Sequence, residues 1–236
     1  PFRIVDIGPM EGTTVLDRRS WAEENLDDVR KFLINEPRGH ADMYGGFVVP
    51  ADDENGDLGV VFFHKDGFST ACGHGTIALV TWAIDSGLIE PKDEVVTVIV
   101  DVPSGRLVTE AKVHNQKVES VCFQNVPSFV SATNISLQTS VGQVNADISF
   151  GGAFYASVNA GKLGLSPTAS NIDALISLGR EIKDQLKDNQ SAVHPDDDRL
   201  SGVYGTIFYE EIGANPLHQR NMTVFADGQV DRSPRS

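Results

Sequence analysis

Cysteine is nearly absent from this chain of 236 residues, which has two, Cys72 and Cys122. Two cysteines cannot build the disulfide framework on which small secreted proteins depend. Their scarcity favours a reducing, intracellular setting, so we expect a cytoplasmic protein. The chain is long enough to bury a core without covalent cross-links, as one large domain or two smaller ones.

Positive charge is also scarce. The chain has 19 lysines and arginines against 33 aspartates and glutamates, which gives a formal net charge of −14. An acidic surface repels phosphate backbones and anionic headgroups, so we expect neither nucleic acid nor membrane as a main partner. Long apolar runs are missing as well, and none is long enough to span a bilayer.

Helix and strand signals alternate in the first hundred residues. Ser20 and Glu23 have the spacing of a capping box and predict a helix that continues through Leu33. Two short apolar runs predict strands, "GFVVP" and "LGVVFFH". Residues 76–86 are apolar on nearly every side, so they predict a helix buried at the centre of this part of the chain.

Strand signals dominate from residue 94 onward. Seven runs have this character: "EVVTVIVDV", "GRLVTEAKV", "KVESVCFQ", "VGQVNADISFG", "AFYASVN", "GVYGTIFYEEI" and "NMTVFAD". One amphipathic helix, capped by Ser170, interrupts them. Two segments, "VVFFHKDGFSTAC" and "MTVFADGQVDRSP", share a strand, an Asp-Gly turn and a polar loop. We therefore predict two similar α/β halves, residues 1–103 and 104–236, with a boundary near Pro103.

Cys72 stands directly before the predicted buried helix. The N–H groups and the macrodipole at a helix start favour negative charge, and they lower a thiol pKa from about 8.5 towards neutrality. Gly73 and Gly75 let backbone N–H groups approach a ligand closely, so the same turn can hold a carboxylate. A thiolate beside a carboxylate suits a base that acts on the α-carbon of an amino acid.

Other roles for Cys72 stay open on these grounds. Most free cysteines are buried packing residues, and Cys122, within a predicted strand, fits that role. Metal binding could use Cys72 with His74, or His40 with Asp42, but no closed ligand set is present. A cysteine hydrolase needs a distant histidine and an orienting group, and no other histidine carries such a pattern.

Six segments, in order along the whole chain, resemble the proline racemase family: "EPRGHADMYG", "GFSTACGHGTIAL", "NVPSF", "FGGAFYASV", "GVYGTIF" and "VFADGQVDRSP". This family includes proline racemase, 4-hydroxyproline epimerase and trans-3-hydroxy-L-proline dehydratase. The resemblance implies an α+β fold of the diaminopimelate-epimerase type, with two pseudo-symmetric halves, each a central helix wrapped by mostly antiparallel strands. It also implies a proline or hydroxyproline substrate, a homodimer, and neither cofactor nor metal.

The resemblance also implies roles for single residues. Cys72 matches the first catalytic position, a thiolate that removes the α-proton or a thiol that returns it. The backbone at Gly73 and His74 would hold the substrate carboxylate, and His74 and Asp231 match the residues that bind the ring nitrogen. The substrate ring would pack against three aromatic positions, Tyr44, Phe62 and Phe225. Any one of these aromatic residues is about as often an ordinary core residue.

The second catalytic position departs from the family pattern. Racemases and epimerases carry a cysteine directly after Asp-Arg-Ser-Pro, and dehydratases carry a threonine. Here Pro234 is followed by Arg235 and Ser236, and Cys122 lies in the wrong motif to substitute. We therefore expect a chain shortened at its C-terminus, whose second half lacks its central helix and the strands that follow it.

Two positions favour a hydroxylated substrate over proline. Gly75 matches hydroxyproline-acting members, since proline racemases tend to carry asparagine there. Ser69 stands where proline-specific members resemble leucine, and its hydroxyl would match a ring hydroxyl. A 3-hydroxyl also permits elimination, which needs a single strong base. We predict a trans-3-hydroxy-L-proline dehydratase. The alternatives are a proline racemase or 4-hydroxyproline epimerase with its second cysteine beyond this terminus, and a shortened inactive homologue.

Overall fold

The computed structural model describes residues 2–231, which divide into two compact units between Pro127 and Ser128. Within residues 2–127, unit 1 contains a seven-stranded sheet and three α-helices. In chain order these elements are β1 (Phe2–Val5), α1 (Val15–Asn25), α2 (Asp27–Ile34), β2 (Tyr44–Val49), β3 (Leu58–His64), β4 (Gly67–Ser69), α3 (Gly73–Asp85), β5 (Val95–Val102), β6 (Gly105–His114) and β7 (Lys117–Gln124). The strand order is β1-β2-β3-β5-β6-β7, and β4 pairs with β3.

Within residues 128–231, unit 2 contains a six-stranded sheet and one α-helix. Its elements are β8 (Phe129–Thr139), β9 (Gly142–Phe150), β10 (Phe154–Asn159), α4 (Ile172–Gln185), β11 (Val203–Ala214), β12 (Leu217–Phe225) and β13 (Gln229–Asp231). The strand order is β13-β12-β11-β10-β9-β8. The amphipathic helix expected here is α4, whose buried side chains pack against this sheet: Leu175, Leu178 and Ile182.

The division between the units lies later in the chain than the predicted boundary at Pro103. β6 pairs with the whole of β5, and β7 pairs with β6, so both strands continue the first sheet. The change in character near residue 94 reflects a run of strands within one sheet, rather than the start of the second half. Strand signals cannot reveal which sheet a strand joins, because pairing is a tertiary contact.

The buried helix predicted from the sequence is α3. It begins at Gly73, three residues before the expected start at residue 76, since the Cys72 side chain caps its first turn. Its apolar residues pack against the core of the first sheet, which includes Val60 and Val98. The following helix residues are almost completely buried: Leu79, Val80, Ala83 and Ile84.

The single helix predicted from Ser20 to Leu33 is instead two helices. The capping box is formed by Thr14, whose hydroxyl accepts from Asp17 N at 3.1 Å while the Asp17 carboxylate accepts from Thr14 N at 3.0 Å. Ser20 lies inside α1 and donates to the Leu16 carbonyl. The helical path is interrupted at Leu26, so α2 starts afresh at the next residue. The prediction was wrong because two successive segments, 14–17 and 20–23, both have capping-box spacing.

The two units share one strand pattern. In unit 1, β1 and β2 are parallel, β3 is antiparallel to β2, and β4 folds back on β3. In unit 2, β10 and β11 are parallel, β12 is antiparallel to β11, and β13 folds back on β12. The two segments with an Asp-Gly turn form the β3–β4 and β12–β13 hairpins. The α+β fold with two related halves is therefore confirmed.

The expected second catalytic position and the missing second helix concern residues 232–236 and beyond. They lie outside the described residues.

Candidate active site

Cys72 is the N-cap residue of α3. Its Sγ accepts a hydrogen bond from Gly75 N at 3.2 Å, and its carbonyl accepts one from Thr76 N at 2.9 Å. The side chain is half-buried, at the N-terminus of a 13-residue helix. A backbone donor and the positive end of the helix dipole both favour a negative charge on this sulfur.

Gly75 has no room for a side chain. A Cβ atom there would lie 2.7 Å from the Phe2 ring, 2.8 Å from the Phe62 ring and 3.1 Å from Cys72 Sγ. Glycine at this position therefore lets the helix start pack against the aromatic rings while its N–H reaches the thiol. This packing requires glycine at position 75 whatever the substrate is. It is a separate reason for glycine from the preference for hydroxyproline that the sequence suggested.

Gly73 and His74 form the rest of the first turn of α3. The N–H groups of a first helical turn do not bond to carbonyls of the helix itself, so they suit an anion. Gly73 also faces an aromatic ring, because a Cβ atom there would lie 2.9 Å from Cζ of Phe123 on β7. His74 is exposed. Phe123, whose side chain alternates with that of Cys122 along β7, was not predicted at the site.

Three aromatic rings form a wall beside Gly75. The ring centroids of Phe2 and Tyr44 are 6.1 Å apart, those of Phe2 and Phe62 are 6.3 Å apart, and those of Tyr44 and Phe62 are 6.4 Å apart. Phe62 is fully buried, and Tyr44 is half-buried. Phe2 was not predicted. It lies opposite Tyr44 in the parallel β1–β2 pair, a register that local sequence does not reveal.

Ser69 lies behind Tyr44 rather than at the surface of the site. Its side chain is 2% exposed on β4, opposite Phe62. Its hydroxyl and the Tyr44 hydroxyl are hydrogen-bonded to each other. The Ser69 hydroxyl is therefore covered, whereas Tyr44 is partly accessible.

The other two predicted site residues lie in unit 2. Phe225, at the end of β12, is 5.8 Å from Tyr204 between ring centroids, and Tyr204 is 5.7 Å from Tyr155. Asp231 ends β13 opposite Thr223 and is half-buried. The six remaining predicted residues lie together in unit 1: Tyr44, Phe62, Ser69, Cys72, Gly73 and His74.

Cys122 is exposed, so its expected role as a buried packing residue was wrong. It does lie in a strand, β7, where neighbouring side chains alternate between the two faces of the sheet. Val121 and Phe123 point to the inner face, which leaves Cys122 on the outer face. The two cysteines therefore differ in environment, with one at a helix start and one on a solvated sheet face.

No group of three or more His, Cys, Asp or Glu side chains within residues 2–231 is arranged to hold a metal ion. Over the same residues, every helix is too short or too polar to cross a membrane.

A family model described as proline racemase matches residues 2–236. A trans-3-hydroxy-L-proline dehydratase from Bacillus thuringiensis subsp. konkukian is 42% identical over 236 residues, covering 99% of this chain and 71% of the relative. The enzyme of the same name from Colwellia psychrerythraea is 41% identical, covering 99% of this chain and 67% of its own length.

Two solved structures have the same fold. A probable proline racemase from Agrobacterium radiobacter K84, with bound carbonate, matches with a TM-score of 0.90 at 27% identity, covering 98% of this chain and 69% of its own. A hydroxyproline epimerase from Agrobacterium vitis, with bound trans-4-hydroxy-L-proline, also matches with a TM-score of 0.90, at 29% identity, covering 96% of this chain and 66% of its own.

Proposed function

Because this chain belongs to the proline racemase family, we propose that it removes the α-proton of a proline-like imino acid with the thiolate of Cys72, and that it dehydrates trans-3-hydroxy-L-proline. The relatives of that name, at 41% and 42% identity, support this substrate. The observation that carries the chemistry is the position of Cys72 Sγ, at the start of α3 and 3.2 Å from Gly75 N.

The thiolate acts as the base. An α-proton of an amino acid is weakly acidic, so its removal needs a base held against the α-carbon and a way to spread the charge that develops. The N–H groups of Gly73 and His74 support the second requirement. A substrate carboxylate seated on them would be stabilised as negative charge moves from the α-carbon into the carboxylate.

Dehydration follows from the position of the leaving group. Once Cys72 has taken the α-proton, the electron pair of the broken C–H bond forms a double bond between the α-carbon and the β-carbon. The C–O bond at the β-carbon breaks, and the departing hydroxide takes a proton from the Cys72 thiol, which forms water and restores the thiolate. The resulting enamine tautomerises to a cyclic imine. The net change is loss of one water, with no change in oxidation state of the protein.

The remaining predicted residues would contact the carbon atoms of the substrate ring and its nitrogen. Tyr44 and Phe62 offer an apolar wall to the carbon atoms of the ring, and Phe225 has the same role in unit 2. A ring ammonium suits the carboxylate of Asp231 and the imidazole of His74, because an opposite charge and an acceptor both stabilise it. We assign these groups to binding rather than to proton transfer. The active protein in this proposal is a homodimer in the cytoplasm.

The test is product analysis. The full chain is incubated separately with trans-3-hydroxy-L-proline, trans-4-hydroxy-L-proline and L-proline, and the products are separated by chiral chromatography and mass spectrometry. We expect the cyclic imine, 18 mass units lighter, from the first substrate alone. Turnover of trans-4-hydroxy-L-proline to its epimer, without imine, would instead support the second candidate, an epimerase, which the similarity to the Agrobacterium vitis structure favours.

We expect Tyr44 to recognise the ring hydroxyl. Ser69 is buried, and its hydroxyl shares a hydrogen bond with the Tyr44 hydroxyl in which either oxygen can be the donor. A phenol oxygen both donates and accepts, so the Tyr44 hydroxyl can also bond to a hydroxyl on the substrate ring. Replacing Tyr44 by Phe should lower kcat/KM for trans-3-hydroxy-L-proline by about five- to tenfold, the effect of one hydrogen bond.

L-Proline, which lacks the hydroxyl, is the matched control substrate. Its α-proton exchange in deuterated water, followed by NMR, should stay within about twofold of the wild-type rate in Tyr44→Phe. An equal loss on both substrates would show that Tyr44 contributes only packing.

A further inference from the structure

Two hairpins lead to the residues on which the proposed function depends. In unit 1 the β3–β4 hairpin turns at residues 65–66, and its second strand ends at Ser69, three residues before Cys72. In unit 2 the β12–β13 hairpin turns at residues 226–228, and its second strand ends at Asp231. Any shift of either turn would move the side chain that follows it, because only a few residues separate them.

Arg30 of α2 holds the first turn. Its side chain is buried, and its Nη1 donates to the carbonyls of His64 at 2.8 Å and Lys65 at 2.7 Å. Its Nε donates to Asp27 at 2.8 Å. Hydrogen bonds from Lys31 and then Arg30 lower the pKa of Asp27, so this carboxylate stays charged beside the guanidinium. A buried guanidinium is tolerable when its donors are matched in this way.

Arg19 of α1 holds the strand that leaves the turn. Its Nε and Nη2 both donate to the Phe68 carbonyl, at 3.1 and 2.8 Å. Phe68 directly precedes Ser69 on β4, and among the described strands β4 pairs with β3 alone. The forked guanidinium therefore supplies two donors to a strand that has one neighbouring strand. A lysine lacks the forked pair of donors that converge on this one oxygen.

Unit 2 repeats the arrangement with α4. Lys183 Nζ donates to the Ala226 carbonyl at 2.8 Å, and Arg180 Nη2 donates to the Asp227 carbonyl. Ala226 has φ of 50°, a left-handed conformation that residues with a side chain rarely adopt. A Cβ atom at Gly228 would lie 2.4 Å from Arg180 Nε, so glycine is needed for the guanidinium to lie against the turn.

The same kind of contact thus occurs twice, on the corresponding hairpin of each unit. We infer that Arg30 and Arg19 in unit 1, and Lys183 and Arg180 in unit 2, are positioning residues. The first pair fixes the backbone that delivers Cys72, and the second pair fixes the strand that delivers Asp231. This inference rests on the proposed roles of Cys72 and Asp231. None of these cations needs to touch the substrate.

Because Cys72 and Asp231 have different proposed tasks, the two pairs should affect different kinetic constants. In Arg30→Gln, kcat for dehydration should fall about tenfold while KM stays within about twofold, since the base is displaced. In Lys183→Gln, the Kd for pyrrole-2-carboxylate, a planar mimic of the deprotonated substrate, should rise about tenfold by calorimetry. Arg30→Lys and Lys183→Arg should recover part of each loss, because a cationic donor remains.

Two neighbouring lysines provide matched controls. Lys31 is exposed on α2 and pairs with Asp27, and Lys187 is exposed just after α4. Lys31→Gln leaves both hydrogen bonds from Arg30 to Asp27 in place, so it should keep wild-type kinetics, as should Lys187→Gln, and both variants should melt within about 2 °C of the wild type. Wild-type constants in Arg30→Gln and Lys183→Gln would overturn the inference. Parallel losses in kcat, Kd and melting temperature in both variants would also overturn it, since they would indicate a general structural role.

A separate measurement distinguishes failure of this inference from failure of the proposed function. In a Cys122→Ser background, iodoacetamide alkylates Cys72 alone, and the pH dependence of its rate reports the thiolate. We expect Arg30→Gln to change this profile even where no imino acid is turned over, and Lys31→Gln to leave it unchanged. If the wild-type chain converts no imino acid, the proposed function fails. If the Arg30→Gln profile then matches that of the wild type, the positioning role fails too.

Discussion

Dehydration of trans-3-hydroxy-L-proline should fall about a thousandfold when Cys72 is replaced by serine, because loss of a general base typically costs between a hundredfold and ten-thousandfold. A serine hydroxyl has nearly the size of a thiol but is far less acidic, so it cannot supply an anion at neutral pH. It would still accept the hydrogen bond from Gly75 N that Cys72 Sγ accepts at 3.2 Å. The change therefore removes the base and keeps the helix cap.

Binding should survive this substitution. The N–H groups at the start of α3 belong to the backbone, so the Kd of Cys72→Ser for pyrrole-2-carboxylate should stay within about threefold of the wild-type value. Calorimetry measures this Kd, and single-turnover assays measure the residual rate. The matched control is Cys122→Ser, on the outer face of β7, which should keep wild-type turnover. Full activity in Cys72→Ser would contradict the assignment of the base.

Replacing Gly75 by alanine should both destabilise unit 1 and disable the site. The new methyl group would meet the Phe2 and Phe62 rings at 2.7 and 2.8 Å, and Phe62 is fully buried, so its ring cannot move aside into solvent. Overpacking of this kind costs about 1–3 kcal/mol of unfolding free energy. The helix start would also move away from the sulfur, so the hydrogen bond to Cys72 would lengthen and the thiolate would be less favoured.

Urea unfolding measures the first effect, and the pH dependence of Cys72 alkylation measures the second. We expect the midpoint of the alkylation profile to move to higher pH. Gly213→Ala is a suitable control, because its Cβ atom would have its nearest neighbour at 3.3 Å, on the exposed residue His218. That variant should unfold within about 0.5 kcal/mol of the wild type. Equal stability of both variants would mean that the aromatic wall can rearrange.

Local sequence determined the elements with strong apolar patterns. The predicted strand at 58–64 coincides with β3, and the strand at 117–124 coincides with β7, since dense β-branched and aromatic residues leave little choice. The apolar helix was also evident, because a segment apolar on every side must be buried. β8, whose sequence FVSATNISLQT is largely polar, was missed for the opposite reason.

In the candidate site too, some features follow from local sequence and others depend on tertiary structure. Cys72 and the glycines beside it are neighbours in sequence, so a helix start with a thiol follows from the local residue pattern. Phe2 meets Gly75 across β1 and α3, Ser69 is buried behind Tyr44, and Cys122 faces solvent. Each of these facts depends on sheet register or on which face of a strand is covered.

The basic residues on the helices show most clearly what the local sequence does not reveal. Arg19, Arg30 and Lys183 look like ordinary surface cations in the sequence, because charged residues on a helix usually face water. In the structure they donate hydrogen bonds to the carbonyls of Phe68, His64 and Ala226, which are between 34 and 49 residues away along the chain. The sequence by itself determined that a thiol begins a buried helix in a member of this family. Only the tertiary structure decided what surrounds that thiol, because packing and long-range hydrogen bonds form between segments that carry no local signal of each other.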